Sequence, residues 1–338
     1  MTHRGTLISG DGIGPEITAE TCKVLEATGV HFEWDEQPAG VTALERTGAL
    51  IPDTTLESIR QRGFALKGPL MTPVGTGFRS VNVALRKEFQ LYANMRPAYT
   101  ILPDGRFQGV DIVMVRENLE GLYSGVEHFI PIDGDPRAVA VSEAILTRHG
   151  AERIIRFAFE YAVENQRRKV TMVHKANILK MVGGLFLEVG RKVAADFVGR
   201  VECEDMIVDN AAMQLVLRPE QFDVIVTTNL FGDILSDEIS GLVGGLGLTP
   251  GANIGDSVGI FEAVHGSAPD IAGQGIANPS AQMLAAAMML DHLTEHDAAR
   301  RLREAIRLSI VEDRVRTRDL GGTATTAAFG DAVAARLT

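Results

Sequence analysis

Two carboxylates four residues apart, Asp233 and Asp237, follow the apolar run at 224–226 in FDVIVTTNLFGDILSDEIS. The β-branched run predicts a buried parallel strand, and the Thr, Asn and Gly behind it a turn into a helix. Spacing of i and i+4 then sets both acids on one helical face. Acids that close repel unless a cation or a proton lies between them, so a hard divalent metal is one reading and a solvated, N-terminally acidic helix the other. DMIVDN over 205–210 predicts a further strand, delivering Asp209 to its edge. Three carboxylates suit Mg2+ or Mn2+, with water and substrate filling the remaining octahedral positions. Lys175 follows the strand-like 169–173, and the carboxyl ends of strands are where open α/β sheets place functional groups; a solvated lysine is the alternative. Tyr123 lies between the glycines of ENLEGLYSGVEH, where it is either half-buried packing or, beside Arg116, a proton donor.

The loop KGPLMTPVGTG over 67–77 is too rich in Gly and Pro for a regular element, and its backbone can approach a ligand closely. Arg79, Ser80, Asn82 and Arg86 follow it, with Asn82 and Arg86 on one helical face, then Arg96 in LYANMRP and Arg116 at the end of a strand over 111–115. Singly, each arginine reads as a surface ion-pair partner; gathered by folding, their guanidinium groups would fork onto the carboxylates of a small polyacid. A formal net charge of −11 argues against a general nucleic-acid surface, so any anion site must be local.

The elements that must position these groups alternate strand and helix, which is α/β architecture. At 338 residues the chain suffices for one large domain or two joined ones. Glycines 10, 12 and 14 of LISGDGIGPE lack the G-x-G-x-x-G spacing, so a standard Rossmann fold is not predicted. Helical patterns run over 143–165, 281–292 and 298–311. Cys22 and Cys203 are far apart and suggest neither a disulfide framework nor a zinc cluster. No apolar run is long enough to span a bilayer and no export signal opens the sequence, so a cytoplasmic protein without membrane contact is expected.

In order along the chain, GDGIGPE, RSVNVALR, LYANMRP, RENLEGLYSG, VHKAN, VDN, NLFGDILSD and FEAVHGSAPDIAGQGIANP resemble the metal-dependent decarboxylating β-hydroxyacid dehydrogenases, the isocitrate/isopropylmalate dehydrogenase family. The likeness runs from about Leu7 to Phe329. It implies a two-domain α/β subunit with a mostly parallel sheet: 1–95 and 251–338 as a large cofactor-binding domain, and 96–250 as a small domain that makes the contact of a homodimer. The active site is then expected in the cleft, with groups borrowed from the partner subunit.

By the same resemblance, Ser80, Asn82, Arg86, Arg96, Arg116, Tyr123, Lys175 and Asn177 bind substrate. Tyr123 is the proton donor to carbon, and Lys175 exchanges the hydroxyl proton from the neighbouring subunit. Asp209 of that neighbour joins Asp233 and Asp237 around Mg2+ or Mn2+. Thr72, His265, Gly266, Ser267, Ala268, Asp270, Ile271 and Asn278 serve the cofactor. Asp270-Ile271 after HGSAP matches the NAD-using pattern, in which the acid accepts from ribose hydroxyls and repels a 2′-phosphate. Ser80-x-Asn82 and YSGVEH resemble the isocitrate members, implying oxidative decarboxylation of a tricarboxylate. Homoisocitrate dehydrogenase is the alternative, and a non-catalytic regulatory subunit is disfavoured because Tyr123, Lys175 and the three acids are all present.

Overall fold

The computed structural model describes residues 2–72 and 80–338. Residues 73–77 of the glycine-rich loop, and Arg79, lie outside the described residues. Contacts divide the chain into two compact units: Met1–Leu91 with Arg96–Val110 and Ser240–Thr338, and Tyr92–Met95 with Asp111–Ile239. The domain boundaries expected from the sequence fall after 95 and after 250. By contacts, the segments 96–110 and 240–250 go with the first unit and 92–95 goes with the second.

The first unit opens with β1 (Thr2–Ile8), α1 (Gly14–Ala27), β2 (His31–Glu36), α2 (Val41–Thr47), α3 (Asp53–Arg62), β3 (Phe64–Lys67) and α4 (Val81–Glu88), and β4 (Ala93–Tyr99) follows. Pro15 in the first turn of α1 lacks an N–H that the helix could not have used there, and Glu16 complements the helix dipole. Each residue of β3 is buried, as expected of a strand covered on both faces. Val81, Leu85 and Phe89 seat α4 and its following residue on Ile8, Ala65 and Ile260, which fixes the helix on the sheet.

The second unit contains β5 (Asp111–Glu117), β6 (Gly121–Ile132), β7 (Asp135–Ile145), α5 (Arg148–Glu164), β8 (Lys169–His174), α6 (Val182–Ala195), β9 (Glu202–Ile207), α7 (Val208–Leu217) and β10 (Val224–Thr227), and α8 (Asn229–Val243) leads out of it. Its strands run parallel in the order β5-β10-β8-β9, with β6 and β7 as a separate antiparallel hairpin. Two expectations change here. The helix predicted from 143 begins at Arg148, because Glu143 pairs with Val126 in the hairpin and Thr147 caps α5 by accepting from the Gly150 amide at 2.9 Å. The strand predicted over 205–210 ends at Ile207, so Asp209 stands in the first turn of α7.

The chain then completes the first unit with β11 (Pro250–Ile254), β12 (Gly259–Ala263), α9 (Ser280–His292), α10 (His296–Val311) and α11 (Thr326–Ala335). Strands β2-β1-β3-β12 are parallel and β11 is antiparallel to β12. That antiparallel strand separates the sheet from the all-parallel dinucleotide-binding arrangement. Helix α9 is buried on all sides along most of its length, which its Ala- and Met-rich sequence permits.

Candidate active site

In the second unit, Arg116 leaves the end of β5 almost fully buried, at 1 % exposure. Its Nε and Nη2 donate to Asn229 Oδ1 at 3.1 and 2.7 Å, and Nη1 donates to the Asp233 carboxylate. Gly232 makes this possible: a Cβ there would lie 2.6 Å from Arg116 Cγ, so only glycine lets the arginine cross α8 so closely. Tyr123, on β6 rather than in a turn, donates its hydroxyl to the other Asp233 oxygen, and the Arg116 guanidinium stands 5.2 Å from the centre of its ring. Partial burial and the Asp233 carboxylate push the Tyr123 phenol up, with Arg116 pulling the other way. The phenol therefore holds its proton at neutral pH. Asn229 Nδ2 donates to Glu120 O at 3.1 Å, and the buried Glu117 carboxylate accepts the Leu119 and Glu120 amides at 2.9 and 2.8 Å, fixing the turn between Arg116 and Tyr123.

A second cluster in the same unit pairs Lys175, just past the end of β8, with Asp209. The hydrogen bond from Lys175 holds the Asp209 carboxyl below the ordinary range. His174 beside it accepts the Ala176 amide on Nδ1 at 3.0 Å and faces Asp205 with Nε2 at 3.3 Å, which fixes the turn that presents Lys175. Asn177 follows, exposed. Among the described residues, no group of three carboxylate, imidazole or thiol side chains stands ready for a metal ion, so Asp209, Asp233 and Asp237 do not assemble within one chain. Asp233 and Asp209 instead bind the cations Arg116 and Lys175. The donors nonetheless fit a hard divalent ion, since all three are carboxylates and two already hold positive charge.

In the first unit, Ser80 precedes α4 with an exposed side chain that makes no capping bond, while Thr72 Oγ1 accepts the Val81 amide at 3.2 Å. Arg86 and Arg96 are buried, at 9 % and 7 % exposure. Arg86 lies near a carboxylate that sequence reasoning missed: Glu262 on β12 binds Lys67 Nζ at 2.6 Å and Asn253 Nδ2 at 2.6 Å, with Arg86 Nη2 at 3.9 Å. Burial alone would raise the Glu262 carboxyl, but the charges of Lys67 and Arg86 and the bonds from Lys67 and Asn253 outweigh it and hold it at about 2. The signal was legible as charged residues inside the apolar strands FALK and GIFEA.

Apart from Thr72, the candidate cofactor residues lie between β12 and α9. The GDGIGP turn packs onto them: Ile13 N donates to Ser267 O at 2.9 Å, and Gly12, with φ +60°, would place a Cβ 2.0 Å from that oxygen. Asp11, also missed from sequence, accepts the amides of Val41, Thr42 and Met71 and the Thr42 hydroxyl at 2.7 to 3.0 Å, tying this turn to the loop that carries Thr72. His265 Nδ1 lies 2.9 Å from Gly266 O, which leaves the buried Nε2 as an acceptor without a partner among the described residues, and burial lowers its pKa. Ala268 and Ile271 pack on Ile13, Ile17 and Ala277, Gly266 and Asp270 are exposed, and Asn278 Nδ2 donates to Asp319 at 2.8 Å. An exposed carboxylate on a loop held this firmly fits the hydroxyls of a ribose.

The family model described as isocitrate/isopropylmalate dehydrogenase matches residues 5–333. The chain is 50% identical over 335 residues to the isocitrate/homoisocitrate dehydrogenase of Thermus thermophilus, covering 98% of each. It is 47% identical over 331 residues to the mitochondrial NAD isocitrate dehydrogenase catalytic subunit 5 of Arabidopsis thaliana, covering 97% of this chain and 87% of that one. The crystal structure of isocitrate dehydrogenase from Methylococcus capsulatus superposes with a TM-score of 0.95 at 55% identity, covering 99% of both chains. With the parallel α/β sheet, the buried arginines and the tyrosine–aspartate pair in place, these matches make the chain an enzyme of the isocitrate/isopropylmalate dehydrogenase family.

Proposed function

We propose that the protein oxidises isocitrate and releases CO2 to give 2-oxoglutarate, using NAD and a divalent cation, as an NAD-dependent isocitrate dehydrogenase. The observation that carries the reading is the cluster of Arg116, Tyr123, Asn229 and Asp233: a buried guanidinium, a protonated phenol and a carboxylate joined by hydrogen bonds. Arg86, Arg96 and Arg116 receive substrate carboxylates, and Ser80 and Asn82 supply the hydroxyl and amide suited to the extra carboxylate of isocitrate. Lys175, whose ammonium pairs with Asp209, exchanges the proton of the substrate hydroxyl. Tyr123 delivers its proton to the carbon that loses CO2. Asp209, Asp233 and Asp237 would hold Mg2+ or Mn2+, which supplies charge stabilisation at the substrate oxygen, and Asp270 would accept from the ribose of NAD, the hydride acceptor.

Asp209 and Lys175 then serve a second copy of the chain. Exposed apolar side chains in the second unit support such a dimer: Phe129, Ile130 and Ile132 on β6, Met181 before α6, Leu217 on α7 and Ile234 on α8. The alternative is homoisocitrate, since the Thermus relative is named for both substrates. Parallel initial-rate kinetics with isocitrate, homoisocitrate, isopropylmalate and tartrate, each with NAD or NADP and with or without a chelator, test the proposal. The highest kcat/KM is expected for isocitrate with NAD, with turnover lost on chelation and restored by Mg2+ or Mn2+. A homoisocitrate preference, or turnover indifferent to chelator, overturns it.

A further inference from the structure

The polar row beneath Arg86 has a geometry that a simple ion pair does not need. In the register of β11 and β12, Asn253 stands opposite Ile260, so Glu262 is its diagonal neighbour on the same face of the sheet. Glu262 in turn stands directly opposite Lys67 across β12 and β3. Asn253, Glu262 and Lys67 thus form a buried row across three adjacent strands, exposed by only 2 %, 7 % and 2 %. Each Glu262 oxygen has its own donor: Oε2 takes Lys67 Nζ and Oε1 takes Asn253 Nδ2, both at 2.6 Å.

Arg86 comes to the same Oε1, at 3.9 Å. That separation attracts the guanidinium but is too long for a hydrogen bond. Arg86 Nε and Asn82 Oδ1, buried on the same side of α4, have no hydrogen-bond partner among the described residues. Both side chains line a cavity of about 10 Å3, room for a single water, together with Lys67, Asn253 and Glu262. Two cations face one carboxylate, so this cluster carries a surplus of positive charge in a buried place and favours a further anion.

We infer that Asn253 is a positioning residue: by holding Glu262 Oε1 it keeps that carboxylate from closing on Arg86, and so leaves the guanidinium free for a substrate carboxylate. An arginine and a carboxylate left to relax in a buried site form a bidentate fork. Such a fork would occupy the donors that substrate requires. With the amide of Asn253 in place, Oε1 already has a short bond in another direction, and Arg86 is drawn toward the sheet without being captured. The inference rests on Arg86 as a substrate ligand, the role proposed above.

The test compares wild type with Asn253→Ala and with Asn253→Ser, which keeps a donor on a shorter arm. In Asn253→Ala the substrate KM is expected to rise about tenfold while kcat and the NAD KM stay within about twofold, the pattern of lost ground-state binding. Asn253→Ser is expected between the two, a rise of about threefold, and carries the test if the alanine variant fails to fold. The thermal shift produced by isocitrate without NAD should shrink in the same order. An unchanged substrate KM in a folded variant overturns the inference, as does a parallel loss in kcat and in the KM of both ligands. A wild type inactive on all four hydroxyacids refutes the functional reading instead.

Discussion

Replacing Glu262 by glutamine removes a carboxylate held at about 2 in the folded chain, against an ordinary value of 4.5. A folded-state pKa below the unfolded one stabilises the fold by the full difference above the unfolded value, here about 3 kcal/mol at pH 7. Breaking a buried pair by removing one partner costs a similar amount, about 3 to 5 kcal/mol, because Lys67 is left charged and uncompensated. The sole tryptophan, Trp34 on β2, lies in the first unit with Glu262, so its fluorescence in a urea titration follows the affected unit. With a slope of about 3 kcal/mol per molar urea, Glu262→Gln should lower the midpoint by about 1 M or more at pH 7. The gap between the two proteins should hold down to about pH 4.5 and then shrink as pH falls toward 2, where the wild-type carboxylate takes up its proton. Lys67→Met combined with Glu262→Gln should cost less than the sum of the single changes, because neither charge is then stranded. A midpoint within about 0.2 M of wild type at pH 7, or strict additivity in the double variant, would refute the reasoning.

Tyr123→Phe keeps the ring and removes the proton that the partly buried phenol holds at neutral pH; kcat should fall about 100-fold or more with substrate KM little changed, and a wild-type kcat would show that the proton comes from elsewhere. Asp270→Lys places a cation where the exposed carboxylate stands, so the ratio of kcat/KM for NAD over NADP should drop by about tenfold or more; an unchanged ratio would remove Asp270 from cofactor choice.

The sequence alone determined the chemistry available and the class of fold. The runs IVMV and VIV are apolar on both faces, which only a covered parallel sheet accommodates, and the i, i+4 acids of α8 followed from helical periodicity. Ordered motifs identified the family, because residue types and their order are properties of the chain.

Tertiary structure decided which of those groups meet. Nothing local says that Asn229 and Asp233 lie over Arg116, more than a hundred positions away, or that Gly232 is the gap that admits it. Pairing decided the limits of α5 and β9, since the hairpin claims Glu143 and the partner strand β8 ends opposite Ile207. Strand register decided that Lys67, Glu262 and Asn253 form one row, and α4 packing decided that Arg86 lies above it. The reason is common to all of these. Propensity and periodicity act over a few neighbouring residues, whereas a buried charge is tolerated only where distant strands deliver its partners, and that delivery is set by the fold as a whole.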